Sequence, residues 1–298
     1  MQATASRTRS LTPLGPFSLT NQNRYFGGWV TADDDGRSIV MAFPVEGWQH
    51  AAAVRIRQED DGTITGTIEG DGDPDVAWRQ ALAVLSLDVD GTGFPAVGQA
   101  DPVIGALQRE HAFLRPVLFH SPYEAACAFV IAHRLRIVQG RAIRRRMAER
   151  DGEAVTIGGA VVHAFPSPHR LLQLDTIPGV NDEKVLRLHG IARAALDGVL
   201  DRERLRGLPV GQALAEVRRL RGIGDFFAAG IVLRGAGVVD AVPDDEMTKA
   251  GVQHAYRLPE PPTAERFAAI AEAWRPYRMW CSVLVHATER RRRESAGG

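Results

Sequence analysis

Cysteine and lysine are scarce in this chain. Cys127 and Cys281 are the two cysteines among 298 residues, each inside a helix-like stretch, so a disulfide framework is not expected. Four-cysteine zinc and iron–sulfur sites are excluded within the chain for the same reason. Two lysines, Lys184 and Lys249, accompany 34 arginines. Because a Schiff base requires an amine, this shortage leaves few positions for covalent amine chemistry.

Long apolar runs are also missing. The run from Phe226 to Leu233 is ended by Arg234, whereas a membrane span needs about 20 apolar residues. We therefore expect no membrane partner. Arg7 and Arg9 are not followed by an apolar segment, so we expect no secretory signal. With so few cysteines, these features predict a cytoplasmic protein.

The charges balance overall but not along the chain. The formal net charge is zero, yet residues 1–120 carry 9 basic and 15 acidic side chains, and residues 121–298 carry 27 and 21. This asymmetry favours an anionic partner for the second half. The apolar fraction of 45% is typical of a soluble protein with a packed core and excludes a disordered or fibrous chain.

The pattern of strands and helices divides the chain into two parts. Residues 38–43, 51–57 and 63–69 predict strands, and Asp73-Pro74-Asp75 predicts the start of a helix. Helical patterns follow at 101–112, 121–136, 139–150, 182–197, 209–219, 225–236, 245–256, 263–273 and 276–292. We expect an α+β fold with a flexible N-terminus (1–11), a small α+β domain with an antiparallel sheet (12–100), an all-α domain (101–292) and a tail (293–298).

The sharpest local motif is Leu220-Arg221-Gly222-Ile223-Gly224, which joins two predicted helices. Two glycines two positions apart permit a tight turn with positive φ and the close approach of another backbone. The second helix would point its unbonded N–H groups outward, where they can bind a phosphate. The same residues are also compatible with an ordinary helix–helix turn.

A second motif, Val242-Pro243-Asp244-Asp245-Glu246, begins the helix that follows. Pro243 suits a helix start, and the adjacent acids suit the N-cap or the first turn. The helix dipole at this position favours an ionised carboxylate. Either both acids serve the helix end, or one of them faces a cleft.

Together these motifs resemble the helix–hairpin–helix DNA glycosylases, and within them the 3-methyladenine DNA glycosylase II branch. Phe165–Leu171 and Ala194–Gly198 resemble the helices before the hairpin, and Ala273–Arg278 resembles the start of the last helix. The resemblance covers roughly residues 12–292. It implies a small N-terminal antiparallel sheet domain, an all-α helix–hairpin–helix glycosylase domain, and a monomer that acts on damaged double-stranded DNA in base excision repair.

The resemblance assigns the catalytic role to the second acid, Asp245, with Asp244 as the capping partner. An ionised carboxylate can stabilise positive charge at C1′ of the sugar and orient the attacking water. Lyase-type members carry a lysine two residues after the second glycine, where this chain has Phe226. The resemblance therefore implies a monofunctional hydrolase for alkylated bases of the 3-methyladenine type, without an iron–sulfur cluster.

The resemblance also indicates the binding residues. Aromatic candidates for a pocket that receives a flipped base are Phe226, Phe227, Tyr277 and Trp280, with His286 at the place of a family tryptophan. Phe227, Tyr277 and Trp280 are more typical of core residues than of pocket residues, whereas Phe226 corresponds to a family aromatic near the cleft. Arg221, Gly222, Ile223 and Gly224 would contact DNA, and the carbonyls of Arg218, Leu220 and Ile223 would bind K⁺ or Na⁺.

Several positions depart from the family pattern. Arg221 replaces the hairpin proline, Phe227-Ala228 replaces Thr-Ala, and Gly230 replaces a pocket tyrosine. The stretch that carries the wedge is Ala132–Leu135, in which Arg134 could stack on bases. These changes keep two alternatives open, a non-catalytic helix–hairpin–helix DNA-binding protein and a glycosylase for a different lesion.

Overall fold

The structure, a computed structural model, describes residues 7–22, 31–32 and 36–296. The strands are β1 (Arg7–Leu11), β2 (Thr31–Ala32), β3 (Ser38–Pro44), β4 (Ala51–Gln58), β5 (Ile64–Gly70), β6 (Ala154–Ile157) and β7 (Ala160–His163). The helices are α1 (Leu19–Gln22), α2 (Pro74–Val84), α3 (Phe94–Ala100), α4 (Pro102–Glu110), α5 (Pro122–Ala132), α6 (Ile137–Asp151), α7 (Pro168–Leu171), α8 (Asp182–Leu196), α9 (Arg202–Gly207), α10 (Val210–Arg218), α11 (Asp225–Gly230), α12 (Glu246–Ala255), α13 (Ala264–Glu272) and α14 (Arg278–Ala296). This order confirms the predicted α+β fold class. Within the described ranges, no helix combines the length and the apolar character that crossing a membrane requires.

An antiparallel sheet with the order β1-β5-β4-β3-β2 forms the first part of the chain. Successive side chains of β4 point to opposite faces of the sheet, and side chains on both faces are buried. Ala52, Val54 and Ile56 belong to the cluster that includes residues of α2. Ala51 and Ala53 instead pack with residues of the β6–β7 hairpin. The sheet is therefore covered on both sides.

Both predicted chain ends differ from the structure. Arg7–Leu11 pairs with β5 over its whole length, from Arg7 opposite Ile68 to Leu11 opposite Ile64, so this part of the N-terminus is a strand. The predicted tail is helical as far as α14 continues, because Glu289 accepts hydrogen bonds from Arg292 and Arg293 one turn later. Residues 1–6 and 297–298 lie outside the described residues.

The helices build two apolar clusters. One joins α5, α6, α8, α10 and α11, and the other joins α3, α4, α12, α13 and α14. Phe94 and Val97 of α3 lie in the second cluster, so helices that precede residue 101 already pack with the C-terminal ones. The domain boundary at residues 100 and 101 stays a prediction.

The predicted helix 225–236 has two parts. After α11 the chain widens into a π-helical segment, Ile231–Ala236, which ends at Gly237 with φ +83°. A Cβ on Gly237 would lie 2.4 Å from the Leu118 side chain, so both the positive φ and the close approach require glycine. π-Helical turns inside helices often occur at functional sites.

Gly66 of β5 faces the indole ring of Trp78 on α2, and a Cβ there would lie 2.2 Å from the ring. We predict that Gly66→Ala lowers the free energy of unfolding by about 1–3 kcal/mol, because the added methyl overpacks this contact. Gly190→Ala is the matched control. It adds a methyl inside α8 with no atom within 4 Å and gains helix propensity, so it should not destabilise. Urea unfolding of both variants tests the difference, and equal destabilisation would contradict this packing.

Candidate functional site

A cleft of about 980 Å³ opens between the two helical clusters. One wall is formed by α11 and the π-helical segment, and the opposite wall by the loop before α12, the first turn of α12 and α14. Val117 and Met279 are buried residues at its floor, whereas Arg141 and Phe226 are exposed at its mouth. The cleft therefore combines buried apolar residues with exposed charged residues of both signs, which are Arg141, Arg218, Arg290, Asp225, Asp244 and Glu246.

Asp245 lies half-buried on the wall of this cleft and is the N-cap of α12. Its Oδ1 accepts a hydrogen bond from the Thr248 amide at 2.9 Å, and its Oδ2 accepts one from Thr248 Oγ1 at 2.7 Å. These two bonds fix the orientation of the carboxylate. Each oxygen keeps further acceptor capacity, so the group can cap the helix and interact with a ligand in the cleft.

The capping role falls on Asp245 and not, as had been expected from the sequence, on Asp244. Asp244 was expected to be the capping partner, but its side chain is mostly exposed and forms an ion pair with Lys249. The N-cap is Asp245, because its backbone is extended and its side chain reaches the Thr248 amide. The capping function and the predicted catalytic function therefore fall on one residue.

The glycine-rich turn joins α10 to α11 as predicted. Gly222 has φ +84°, and a Cβ on it would lie 2.7 Å from the Arg187 side chain. Ile223 is buried and its amide donates to the Leu220 carbonyl at 3.1 Å. Gly224 precedes α11 with no side-chain cap. This turn therefore presents backbone amides at a helix start, the arrangement that suits a phosphate.

The predicted K⁺ or Na⁺ ligands are backbone carbonyls of this turn. The Leu220 carbonyl already accepts the Ile223 amide, which leaves one of its two lone pairs for an ion. In the described chain, no cluster of three or more His, Cys, Asp or Glu side chains could hold a metal. A ligand set made of carbonyl oxygens suits a monovalent cation, and the ion stays a prediction.

Arg221, predicted to contact DNA, is exposed beside the turn. Its guanidinium donates to the Glu183 carboxylate at 3.1 Å, and the same carboxylate accepts from Arg187 at 3.0 Å. Arg218 is similarly paired with Asp225 at 2.7 Å. Exposed pairs of this kind are weak in water, so these arginines can exchange a carboxylate for a phosphate.

Aromatic rings line one side of the cleft. Phe226 lines the mouth and is 65% exposed, which is unusual for a phenylalanine. Phe129 of α5 also lines the cleft, and sequence analysis missed it. A Cβ on Gly230 would lie 2.3 Å from the Phe129 ring. Phe129 thus occupies the space next to Gly230, the position at which the family pattern has a tyrosine.

The other aromatic candidates take different positions. Phe227 stacks on Phe129 with a centroid distance of 5.4 Å, behind the cleft wall. Tyr277 and Trp280 do not line the cleft. They pack in the core against Phe94, at centroid distances of 5.5 and 5.1 Å, and the Tyr277 hydroxyl donates to the Asp90 carbonyl at 2.7 Å. These two were wrong as pocket candidates, because Tyr277, just before α14, and Trp280, in its first turn, pack toward α3.

His286 lies on the cleft wall opposite α11. Burial lowers the pKa of its imidazole, and Arg234 lowers that pKa further, while Asp245 acts in the opposite direction. The imidazole is therefore neutral at neutral pH. It adds an uncharged ring to the side of the cleft that also holds Asp245.

Arg134 lies in the exposed turn between α5 and α6, with φ +58°. Lys184 holds this turn, since its Nζ donates to the carbonyls of Ile131 and His133, both at 2.8 Å. Next to Arg134, Ile137 and Val138 are 70% and 76% exposed. Two bare apolar side chains beside the cleft mouth were missed as wedge candidates. Their signal in the sequence is an apolar pair inside an arginine-rich segment.

Not all arginines of α6 face solvent, and only those that do could contact DNA. Arg144 points inward and donates to Glu124 at 3.3 Å, next to His120. Arg141, Arg145 and Arg146 remain exposed. Fewer arginines of α6 are therefore available to contact a phosphate than its sequence contains.

Comparison with known proteins gives a consistent result. No protein-family model matches the chain. A DNA-3-methyladenine glycosylase of Bacillus subtilis (strain 168) is 23% identical over 209 residues, which are 67% of this chain and 68% of that protein. A solved structure of a 3-methyladenine DNA-glycosylase from Archaeoglobus fulgidus aligns with a TM-score of 0.76 at 19% identity, covering 95% of this chain and 98% of the other.

A further solved structure is an 8-oxoguanine glycosylase/lyase from Clostridium acetobutylicum, in complex with double-stranded DNA containing cytosine opposite 8-oxoguanine. It aligns with a TM-score of 0.69 at 14% identity, covering 96% of this chain and 98% of the other. The chain therefore has the fold of the helix–hairpin–helix DNA glycosylases, and the resemblance in its sequence is confirmed. Proteins with this fold include both a glycosylase and a glycosylase/lyase.

The two hydrogen bonds to Asp245 allow its capping contribution to be measured. We predict that Asp245→Ala lowers the free energy of unfolding by about 1 kcal/mol, because the Thr248 amide loses its acceptor. Asp245→Asn should change it by less than about 0.5 kcal/mol, since asparagine caps nearly as well. Chemical denaturation of both variants provides the measurement. Equal losses in the two would contradict the observed capping geometry.

Proposed function

We propose that this protein is a monofunctional DNA glycosylase that removes alkylated bases, of the 3-methyladenine type, from double-stranded DNA in base excision repair. The observation that carries the proposal is the oriented, half-buried Asp245 carboxylate on the wall of a large cleft beside a glycine-rich turn. The relatives named above as 3-methyladenine glycosylases support the lesion class.

The reaction requires a negative charge at a defined place. Hydrolysis breaks the bond between C1′ and the base nitrogen, and its electron pair leaves with the base while a water oxygen bonds to C1′. One water hydrogen stays on the new C1′ hydroxyl, and the other is released as a proton to the Asp245 carboxylate or solvent, because a base that carried a positive charge leaves neutral. As positive charge develops at C1′, the fixed Asp245 carboxylate stabilises it without further reorganisation.

The damaged base must leave the DNA duplex to enter this cleft. Flipping a nucleotide out of the duplex brings the base into a pocket that a stacked base cannot enter. Arg141 and Arg290 line the cleft, and the turn at Gly222 and Gly224 immediately precedes α11, which forms one of its walls. Phosphates flanking the flipped nucleotide would therefore meet cations and backbone amides. Ile137 and Val138 would fill the vacated stack.

The two lysines support a hydrolase without lyase activity. Lys249 lines the cleft, but a hydrogen bond to Asp244 raises the pKa of its ammonium, which keeps it protonated and not nucleophilic. The Lys184 Nζ is engaged with two backbone carbonyls under the α5–α6 turn. Phe226 takes the position at which the lyase members have their lysine.

Replacing the carboxylate tests the chemistry. We predict that Asp245→Asn lowers the single-turnover rate of base release from methylated duplex DNA by at least about a hundredfold, because the charge at C1′ loses its stabilisation. The affinity for the duplex should persist, since asparagine keeps the cap. Base release is followed by chromatography of the free base, and affinity by fluorescence anisotropy.

Asp244→Asn is the control for this experiment. It removes an exposed neighbouring carboxylate that pairs with Lys249, and it should retain most of the wild-type rate. If neither the wild type nor the control releases any base while both bind DNA, the result overturns the proposed lesion class and favours a non-catalytic binding module or a glycosylase for a different lesion. Equal loss in both variants would count against a specific role for Asp245.

Borohydride reduction tests the monofunctional assignment. We predict that the wild type leaves an intact abasic strand and yields no covalent protein–DNA adduct when sodium borohydride is present during turnover. The physical reason is that Lys249 stays paired and protonated, so no imine with C1′ accumulates. Denaturing gels detect a trapped adduct. An adduct lost in Lys249→Gln would show lyase chemistry instead.

A further inference from the structure

His286 lies in the middle of the helix face that α14 presents to the cleft. That face is formed, at helical spacing, by Met279, Ser282, Val283, His286, Ala287 and Arg290. Neither nitrogen of the imidazole is hydrogen-bonded to another described residue, so both are available to a water or a ligand in the cleft. A neutral imidazole has one N–H donor and one lone pair that can accept a proton.

The surroundings of this ring keep its lone pair free at neutral pH. Burial lowers the pKa of the imidazole most, and Asp245, at the start of α12, acts in the opposite direction. Arg234 of the π-helical segment lowers that pKa further, as do Arg290 and Arg293 of α14 itself. The pKa therefore lies below the ordinary 6.5 of histidine. The ring is an uncharged proton acceptor and does not repel a cationic base.

The other proton acceptors among the side chains of the cleft wall differ from His286. Asp225 and Asp244 form ion pairs with basic side chains, and Glu246 is exposed to solvent. Among the described residues that line the cleft, His286 is the sole histidine. It is therefore a half-buried, neutral acceptor on the same side of the cleft as Asp245.

Hydrolysis requires two functions that one carboxylate cannot perform at the same time. Asp245 must remain negative while positive charge develops at C1′. The attacking water must lose a proton as its oxygen bonds to C1′, and a base that was cationic leaves neutral without taking that proton. If Asp245 accepted the proton, the carboxylate would lose its charge when the charge is needed. A second group must therefore act as the base.

We propose that His286 accepts the proton of the attacking water, so that Asp245 keeps its negative charge at C1′. The inference rests on the proposed glycosylase function and adds a second catalytic residue to it. The water oxygen bonds to C1′, the electron pair of the C1′–N bond leaves with the base, and the water proton bonds to the imidazole lone pair. The positive charge of the base thus ends on the imidazolium, which returns the proton to solvent. The tryptophan of the family pattern has no lone pair for this step.

The dependence of the rate on pH tests this role. Single-turnover release of 3-methyladenine from methylated duplex DNA, with excess protein, should slow as the pH falls below 6.5, because an imidazolium has no lone pair. The side chain in His286→Gln still hydrogen-bonds to water but cannot take its proton. We expect this variant to be slower at neutral pH by at least about tenfold and to lack the decline that the imidazole causes. Its affinity for the duplex should persist.

His163→Gln is the matched control. His163 is exposed on β7 and does not line the cleft, so this variant should keep the wild-type rate and pH profile. Chemical rescue separates proton transfer from a structural role. His286→Ala leaves space in the cleft, and added imidazole should restore part of its lost rate. Imidazole should not restore Asp245→Asn, because that variant lacks a negative charge and not a base.

Each outcome has one meaning. A wild-type rate that stays constant below pH 6.5 overturns the role of His286 without any variant. A folded His286→Gln protein that is slower but keeps the wild-type pH profile shows a merely structural histidine. Thermal unfolding establishes which variants are folded, and if His286→Gln is not, the response of His286→Ala to imidazole decides the question.

Failure of the proposed function gives a different result. In that case the wild type releases no 3-methyladenine at any pH. Loss of the decline in His286→Gln, together with recovery of His286→Ala in imidazole, establishes His286 as the proton acceptor.

Discussion

The hydrogen bonds from Thr248 to the Asp245 carboxylate determine where the reactive wall of the cleft lies. They fix the first turn of α12, and α12 is fixed in turn by its close packing on α14. Gly251 makes that packing possible, since a Cβ there would lie 2.5 Å from the Val285 carbonyl oxygen. The close packing of α12 on α14 therefore sets the position of Asp245 relative to His286.

Hydrogen bonds to Asp240 fix the start of the loop that leads to Asp245. Asp240, before the loop that leads to Asp245, accepts hydrogen bonds from Arg278 at 2.6 Å and from Arg275 at 2.8 Å. The loop between Asp240 and Asp245 is therefore fixed at both ends. The proposed role of Asp245, a carboxylate that faces developing charge, depends on such support.

Sequence analysis located the features that depend on residues close to each other in the chain. The turn at Gly222 and Gly224 and the helix start at Asp245 depend on local backbone chemistry, so their patterns are visible in the chain. Which of two adjacent acids caps the helix was not decided by that pattern. The β6–β7 hairpin also escaped notice, although Gly158-Gly159 between two apolar runs is a typical hairpin signal.

What the sequence could not indicate depends on distant residues. Trp280 and His286 lie on one helix, but only packing against α3 decides which face is core and which is cleft. The place of Arg234 on the cleft, where its Nη2 donates to the Val117 carbonyl at 2.7 Å, likewise depends on residues distant in sequence. The arginine count misleads in the same way, because Arg202 and Arg115 are buried and donate to backbone carbonyls at 2.7 and 2.6 Å. Such arginines hold the fold together and add little to the charge that a duplex would meet.

The contact between Gly230 and Phe129 couples two positions that lie 101 residues apart in sequence. A tyrosine restored at position 230 would collide with the ring, and a small residue at 129 would leave an empty space beside the glycine. Neither substitution is tolerated alone, so the pair can change only together. An aromatic ring at position 230 of α11 and one at position 129 of α5 therefore exclude each other, and this wall of the cleft can carry either ring but not both.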